Sequence, residues 1–370
     1  MKNTLKITLA VITSFAIASS TFAGEFSVTG AAKMTYSVQS SESASGGNDG
    51  GKGIGIANEF TLGASGELDN GYTWAYAQDI DGATVQDDAK MTLTTPYGTV
   101  GAFVSEGSIS TKYKNSFAVY ATGSDFGLSG GSTKHDAGSD GAGFTYGDNV
   151  SNTNNLQYHT PAGFLPFSTV AKVAFAPSNS GSANASSNST DGTGSASSGT
   201  EDGDEAIQYS LETSPMDGLN LNASYYEKKK IAVAAGKVQT YETGSYGANY
   251  SIGNLSIGYG KTLIAPSLAV LTTGTRVQDY ENNMYSIGYA VNDALSVSYE
   301  IEKSDANKQT FAATGNTDSS VEAEIQTIQA AYTAGGMTLS LSNKEIENMD
   351  YTTGKEAAET VFAVSMRSEE

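Results

Sequence analysis

From Glu25 onward, apolar and polar residues alternate with a period of two. Phe26, Val28, Ala32, Met34, Tyr36 and Val38 share one parity, and Glu25, Ser27, Thr29, Lys33, Thr35 and Ser37 share the other. Two residues per repeat places the two sets on opposite faces of one strand. The stretch "KMTLTTPYGTVGAFV" repeats the pattern about Pro96-Tyr97-Gly98: Met91, Leu93, Val100, Ala102 and Val104 form an apolar face, against Lys90, Thr92, Thr94, Thr99 and Gly101. The same unit recurs along the chain. Residues 54–68 and 72–80 flank Asp69-Asn70-Gly71, and Asn-Gly is among the strongest hairpin signals. Ile207, Tyr209 and Leu211 turn into Leu219, Leu221, Ala223 and Tyr225. Tyr246, Ala248, Tyr250 and Ile252 turn at Gly253-Asn254 into Leu255, Ile257 and Tyr259. Further pairs turn at residues 291–293 and 334–336, and a last strand covers residues 357–366.

Two regularities decide between the folds that such strands can build. Connections are read as alternating short and long, and the polar parity is Ser, Thr, Asn, Gln, Glu and Lys rather than a second apolar set. Short turns on one rim and long loops on the other are the pattern of an antiparallel transmembrane β-barrel with an apolar outside and a polar inside. Closure follows from the solvent, because an unpaired backbone group in hydrocarbon costs several kcal/mol and an open sheet has a row of them. A water-soluble sandwich also has one oily face, but it mixes its connections. On the outward parity the main charged exceptions, Lys261 and Lys303, fall at the loop ends of their strands, where a lysine snorkels. The Tyr residues and Trp74 suit aromatic girdles at the two interfaces.

Composition narrows the compartment. Lys2 and Lys6 precede an apolar run that ends at Ser20-Thr21-Phe22-Ala23, which predicts a secretory signal peptide over residues 1–23 and a barrel over residues 24–370. Beyond that run no apolar stretch is long enough for a transmembrane helix. There is no cysteine, so neither disulfides nor a metal-thiolate site is available. A net charge of −20 with only two arginines, Arg276 and Arg367, argues against nucleic acid as a partner and suits cations and metal-bridged lipopolysaccharide. Residues 177–204 are almost pure Ser, Gly, Asn, Thr and Ala and read as a low-complexity extracellular loop.

Catalytic chemistry finds no constellation. The two histidines, His135 and His159, are placed in a loop and beside a turn, which suits neither a Ser-His-Asp triad nor a histidine metal cluster. "GKGIG" over residues 51–55 lacks the Lys-Ser/Thr ending and the helix of a phosphate loop. The acidic run at residues 201–205 lacks the spacing of a known calcium loop, and Lys228-Lys229-Lys230 stands at a strand end, within reach of lipopolysaccharide phosphates. The reading is therefore a non-enzyme without cofactor or metal.

Two segments carry a likeness to a known family. "TTPYGTV" is similar to the aromatic-Gly-Thr-Val segment that follows a periplasmic turn and opens the fifth strand in the trimeric general porins of Gram-negative outer membranes. "NNLQYHTPAGF" looks like the Asn-x-x-x-Tyr-x-Ser/Thr-Pro stretch opening their sixth strand. In this order the chain resembles that family, most nearly the porins of alphaproteobacteria. The resemblance implies sixteen strands and makes residues 106–152 the third loop, folded into the barrel and narrowing it. If "FAVYAT" and "FGLSGGS" form a hairpin instead, the count is eighteen and that loop shrinks to residues 106–113. It implies an outer-membrane porin, a homotrimer passing small hydrophilic solutes and ions by diffusion among outer-membrane lipid and lipopolysaccharide. A substrate-selective eighteen-stranded channel and a structural or adhesive barrel are the alternatives.

The constriction candidates are Glu106, Lys112, Lys114, Asp125, Lys134, Asp136 and Asp140 on the loop, facing Lys33, Lys90 and Lys172 on the wall. Opposed charges across a narrow lumen orient dipolar solutes and tune ion preference, and the acidic excess favours cations. The inward parity also carries Lys344 and the acids Glu25, Glu59, Glu67, Glu212, Glu300 and Glu302. The chain departs from the family where it ends "VFAVSMRSEE" without a terminal Phe. Val104 and Ser105 also stand where members often carry an Arg.

Overall fold

The alternation becomes strands because each face then meets its own solvent, and neighbouring strands satisfy each other's backbone. The computed structural model describes residues 24–42, 48–81, 88–112, 114–117, 146–177, 205–234, 237–268 and 271–367. The expected signal peptide and all but one residue of the low-complexity loop lie outside them. The described residues form sixteen strands. The first eight are β1 (Glu25–Glu42), β2 (Asn48–Glu67), β3 (Thr73–Asp81), β4 (Ala89–Thr95), β5 (Gly98–Val104), β6 (Asn155–His159), β7 (Val170–Ala176) and β8 (Ala206–Met216). The other eight are β9 (Leu219–Ala234), β10 (Lys237–Ile252), β11 (Leu255–Ala265), β12 (Gly274–Ala290), β13 (Leu295–Phe311), β14 (Thr317–Ala334), β15 (Met337–Glu347) and β16 (Glu356–Arg367). All pairings are antiparallel between chain neighbours, and β1 pairs with both β2 and β16, so the sheet closes on itself. No helix among the described residues is long and apolar enough to cross a membrane, which leaves crossing by strands untouched.

The two faces separate as the parity demands. Outside stand Met91, Val100, Tyr209, Leu211, Leu221, Tyr246, Ile257, Leu263, Tyr285, Ile287 and Leu341, all exposed, and inside stand buried Gln208, Ser224, Ser245, Asn282, Ser298, Thr327 and Ser342. A soluble protein inverts this arrangement. The apolar band ends at tyrosines whose hydroxyls point to polar groups on the loop side. Tyr225 donates to Glu242, Tyr299 to Gln326 at 2.9 Å and Tyr259 to Asn283 at 3.2 Å. From Leu219 at the turn to Glu227 above that belt β9 runs nine residues, a match to the roughly 9–11 that a tilted strand needs to cross a bilayer. At the turn end Trp74 lies over Gly66, where an added Cβ would stand 2.9 Å from the indole nitrogen.

Beyond the belt the outward charges are paired. Lys261 meets Glu281 at 2.5 Å, Lys303 meets Glu324 at 2.6 Å and Glu322 at 3.2 Å, and Lys229 meets Glu205 at 3.1 Å and Glu227 at 3.2 Å. Snorkelling alone therefore understates how Lys261 and Lys303 are accommodated, since a cross-strand carboxylate neutralises each. Lys229 and Glu205 are likewise held by each other, at the places read as a lipopolysaccharide contact and an acidic loop.

The strict alternation of short and long connections does not hold. The loop-end link between β9 and β10 is only residues 235–236, that between β1 and β2 is residues 43–47, and the turn-end link between β6 and β7 stretches over residues 160–169. The strands explain the first two: β1, β2, β9 and β10 each run 16 to 20 residues. Their extra length continues the ladder past the apolar band into polar sequence, including residues 39–42 and 48–53, which are rich in Gly and Ser. The third holds Pro161 and Pro166, which donate no backbone hydrogen bond.

The two family-like segments lie side by side. Gly98 has φ 125°, and a Cβ there would fall 2.4 Å from the His159 carbonyl and 2.8 Å from the Tyr158 ring. Tyr158 in turn donates its hydroxyl to the Tyr97 carbonyl at 2.6 Å. The glycine in one motif and the tyrosine in the other thus answer a single packing need.

Candidate functional site

Between β5 and β6 the chain leaves the wall and enters the ring. Both ends of this excursion are fastened by β6: Asn155 donates its side-chain amide to the carbonyls of Glu106 and Val150, at 3.1 and 3.2 Å, and Gln157 donates to that of Gly107. Ile109 and Val150 pack with Ala174, Ala176, Ala206 and Tyr226. From there residues 111–112 and 114–117 run along the inner wall. The Thr111 amide donates to Ser224 at 3.1 Å, and Asn115 exchanges amide hydrogen bonds with Asn222 at 2.7 and 3.3 Å. Ser116 donates to Glu300, and the Phe117 amide donates to Ser286 at 2.6 Å.

This seat is cut from glycines. Gly247 and Gly258 face inward, and a Cβ on either would lie 2.0 Å from the Asn115 side-chain amide or 1.9 Å from its carbonyl oxygen. Gly288 leaves room for Phe117, whose Cβ would be 3.1 Å from an added methyl. The inward glycines of "SYGANYSIGNLSIGYG" therefore let the loop backbone lie flat against β10 and β11.

Charges collect at three places. Lys90 on β4 meets Glu106 at 3.2 Å. Glu212 on β8 receives two ammonium groups, Lys114 from the loop at 2.5 Å and Lys172 from β7 at 2.9 Å. His159 on β6 is paired in register with Lys172 and hydrogen-bonded to Gln157 at 2.8 Å. The third place is on the far wall, where the register sets Glu300, Thr327, Lys344 and Glu359 in one row across β13–β16. Glu300, Glu302, Lys344 and Glu359 are all buried. Ser116 reaches Glu300 and Tyr146 reaches Glu302 at 2.6 Å, so both described stretches of the loop touch β13.

Of the sequence candidates, Glu106, Lys90 and Lys114 are brought into contacts between loop and wall, and Lys172 meets Glu212 on the neighbouring strand beside Lys114. Lys112 donates instead to the Gly147 carbonyl and ties the loop to itself. Lys33 is half-buried on the inward parity of β1, and Asp125, Lys134, Asp136 and Asp140 lie outside the described residues. The hairpin alternative falls mostly there as well. Glu212, Glu300, Glu302 and Lys344 stood on the inward parity in the sequence without being singled out. The available signal was their mid-strand position, where an inward charge has little access to the rims. Arg276 stacks on Phe311 at 4.7 Å at a loop end rather than lining a wall ladder.

Among the described residues no group of three or more His, Asp or Glu is placed to hold a metal ion. What the arrangement can do is shape a passage. Lysines stand on β4 and β7, and β13 and β15, which carry the buried acids Glu300 and Glu302 and the buried Lys344, lie eight strands round the ring from β5 and β7.

No protein-family model matches the chain, and no curated protein is similar to it in sequence. Its shape is widely shared. It is similar to the anion-selective porin from Comamonas acidovorans, with a TM-score of 0.60 at 12% identity over 94% of this chain and 100% of that one. OmpT, an outer membrane protein of Vibrio cholerae, aligns with a TM-score of 0.60 at 9% identity over 95% and 99%. Salmonella typhi OmpF aligns with a TM-score of 0.56 at 12% identity over 92% and 97%. These likenesses show the fold: the chain is built as the β-barrel of the outer-membrane porins.

Proposed function

We propose that this protein is an outer-membrane porin, a sixteen-stranded transmembrane barrel that passes small hydrophilic solutes and ions by diffusion through a water-filled lumen. The observation that carries the reading is the inverted barrel, apolar outside and polar inside, with residues 106–112 and 114–117 laid across its interior wall. The porin fold of its structural neighbours supports it. In this reading the third loop sets the size limit, its described stretches and Lys90, Lys172 and Glu212 line the narrows, and three copies assemble side by side. Lys33 and Lys112, with Asp125, Lys134, Asp136 and Asp140 outside the described residues, remain part of the proposed charge filter.

Swelling of proteoliposomes in sugars of increasing size tests it. Entry of small sugars with a fall-off at larger ones is the expected outcome, whereas proteoliposomes impermeable to all of them would point to a structural or adhesive barrel. The acid-rich chain is expected to prefer cations. Glu106→Gln should shift the reversal potential in a salt gradient toward anions, with a stability change of at most about 1 kcal/mol because the Lys90 partner is substantially exposed. A shift toward cations would count against a pore-facing Glu106.

A further inference from the structure

Below the point where Lys114 and Lys172 meet Glu212 the wall opens into a recess of about 380 Å³. Its polar lining is Lys114, Lys172, Glu212, Thr213, Ser168 and Ser214, with the amides of Asn220, Asn222 and Asn249. Two features set it apart in so acidic a chain. Glu212 is its one carboxylate against two ammonium groups, so the recess carries a net positive charge. The rest is hydroxyls and amides, which both donate and accept.

The geometry points to a subsite for a hydroxylated organic anion, a small sugar acid whose carboxylate sits between Lys114 and Lys172. Glu212 already shows the fit, presenting one oxygen to each ammonium, Oε2 to Lys114 at 2.5 Å and Oε1 to Lys172 at 2.9 Å. Each ammonium has three donors, so donors remain for a second carboxylate. Ser214 donates to Asn220 at 2.6 Å, and Asn220 donates to Asn249 at 2.9 Å. That chain of side-chain dipoles offers partners to hydroxyl groups along the same wall. The chain's net charge of −20 disfavours anions, and this recess gives them one local point of attraction on the way through. Glu212 acts as an internal competitor that keeps occupancy brief, as a conduit requires.

The inference rests on the pore reading, and the experiment separates the two. Full-length protein in a planar bilayer is titrated with sodium gluconate, glucose and glucose 6-phosphate in turn. Gluconate should produce saturable, brief interruptions of the current, and equal glucose should not. Glu212→Gln, which frees both ammonium groups, should tighten the gluconate effect severalfold, and Lys172→Met should weaken it by roughly threefold to tenfold. Tightening by Glu212→Gln is an outcome that misfolding does not imitate. An ohmic channel in which gluconate acts no more than glucose overturns the subsite and leaves the pore intact. Interruption by glucose 6-phosphate alone overturns the carboxylate assignment, and a gluconate effect indifferent to both substitutions places it elsewhere. No conductance from folded protein removes the pore itself.

Discussion

Leu211→Arg is expected to destabilise the folded protein in lipid vesicles by about 2–4 kcal/mol, measured by denaturant titration. Leu211 stands mid-strand on the outer face of β8, 46% exposed, between Ala171 on β7 and Ala223 on β9. A guanidinium there leaves water for hydrocarbon, and the nearest polar groups lie several residues away at either rim. On the surface of a water-soluble barrel the same change would stay within about 0.5 kcal/mol. The contrast makes the substitution a test of what solvates the outer face. A near-neutral result in vesicles would remove the lipid-facing assignment, whatever the shape of the fold.

Gly258→Val should unseat the loop. The added Cβ lands 1.9 Å from the Asn115 carbonyl, so either the wall or the loop at Asn115 must move, and the wall is held by ladder hydrogen bonds on both sides. Overpacking of this kind costs about 1–3 kcal/mol. The segment escapes that cost by lifting inward, losing the Asn115–Asn222 pair and the Ser286 contact of Phe117. The expected readouts are a flickering open-channel current and faster proteolytic cleavage within the loop. Gly244→Val supplies the control, since Gly244 has open space where its Cβ would be. Equal behaviour of the two variants would contradict the seat.

The barrel was legible because its information is local. Parity is written residue by residue, and Asn70-Gly71 or Gly253-Asn254 mark their turns without reference to distant strands. The rim was less legible: β9 and β10 keep pairing past the apolar band through Lys228-Lys229-Lys230, a stretch whose polarity reads as loop although its ladder persists. The site depended on the stagger of the closed sheet. That stagger decides that Glu212 on β8 meets Lys172 on β7 and Lys114 from the loop, and no pattern within a single strand reports it. The inward glycines were visible as small residues, but their purpose appears only once Asn115 and Phe117 lie against them. The outward Lys261 and Lys303 show the same limit, since their partners Glu281, Glu322 and Glu324 sit on neighbouring strands.

The central claim is an open, water-filled passage through the barrel, and single-channel recording of the detergent-extracted protein in a planar bilayer tests it most directly. The account predicts ohmic conductance rising with salt concentration, in steps grouped by three, with more current carried by cations than by anions. Folded protein that inserts and passes no current would contradict it.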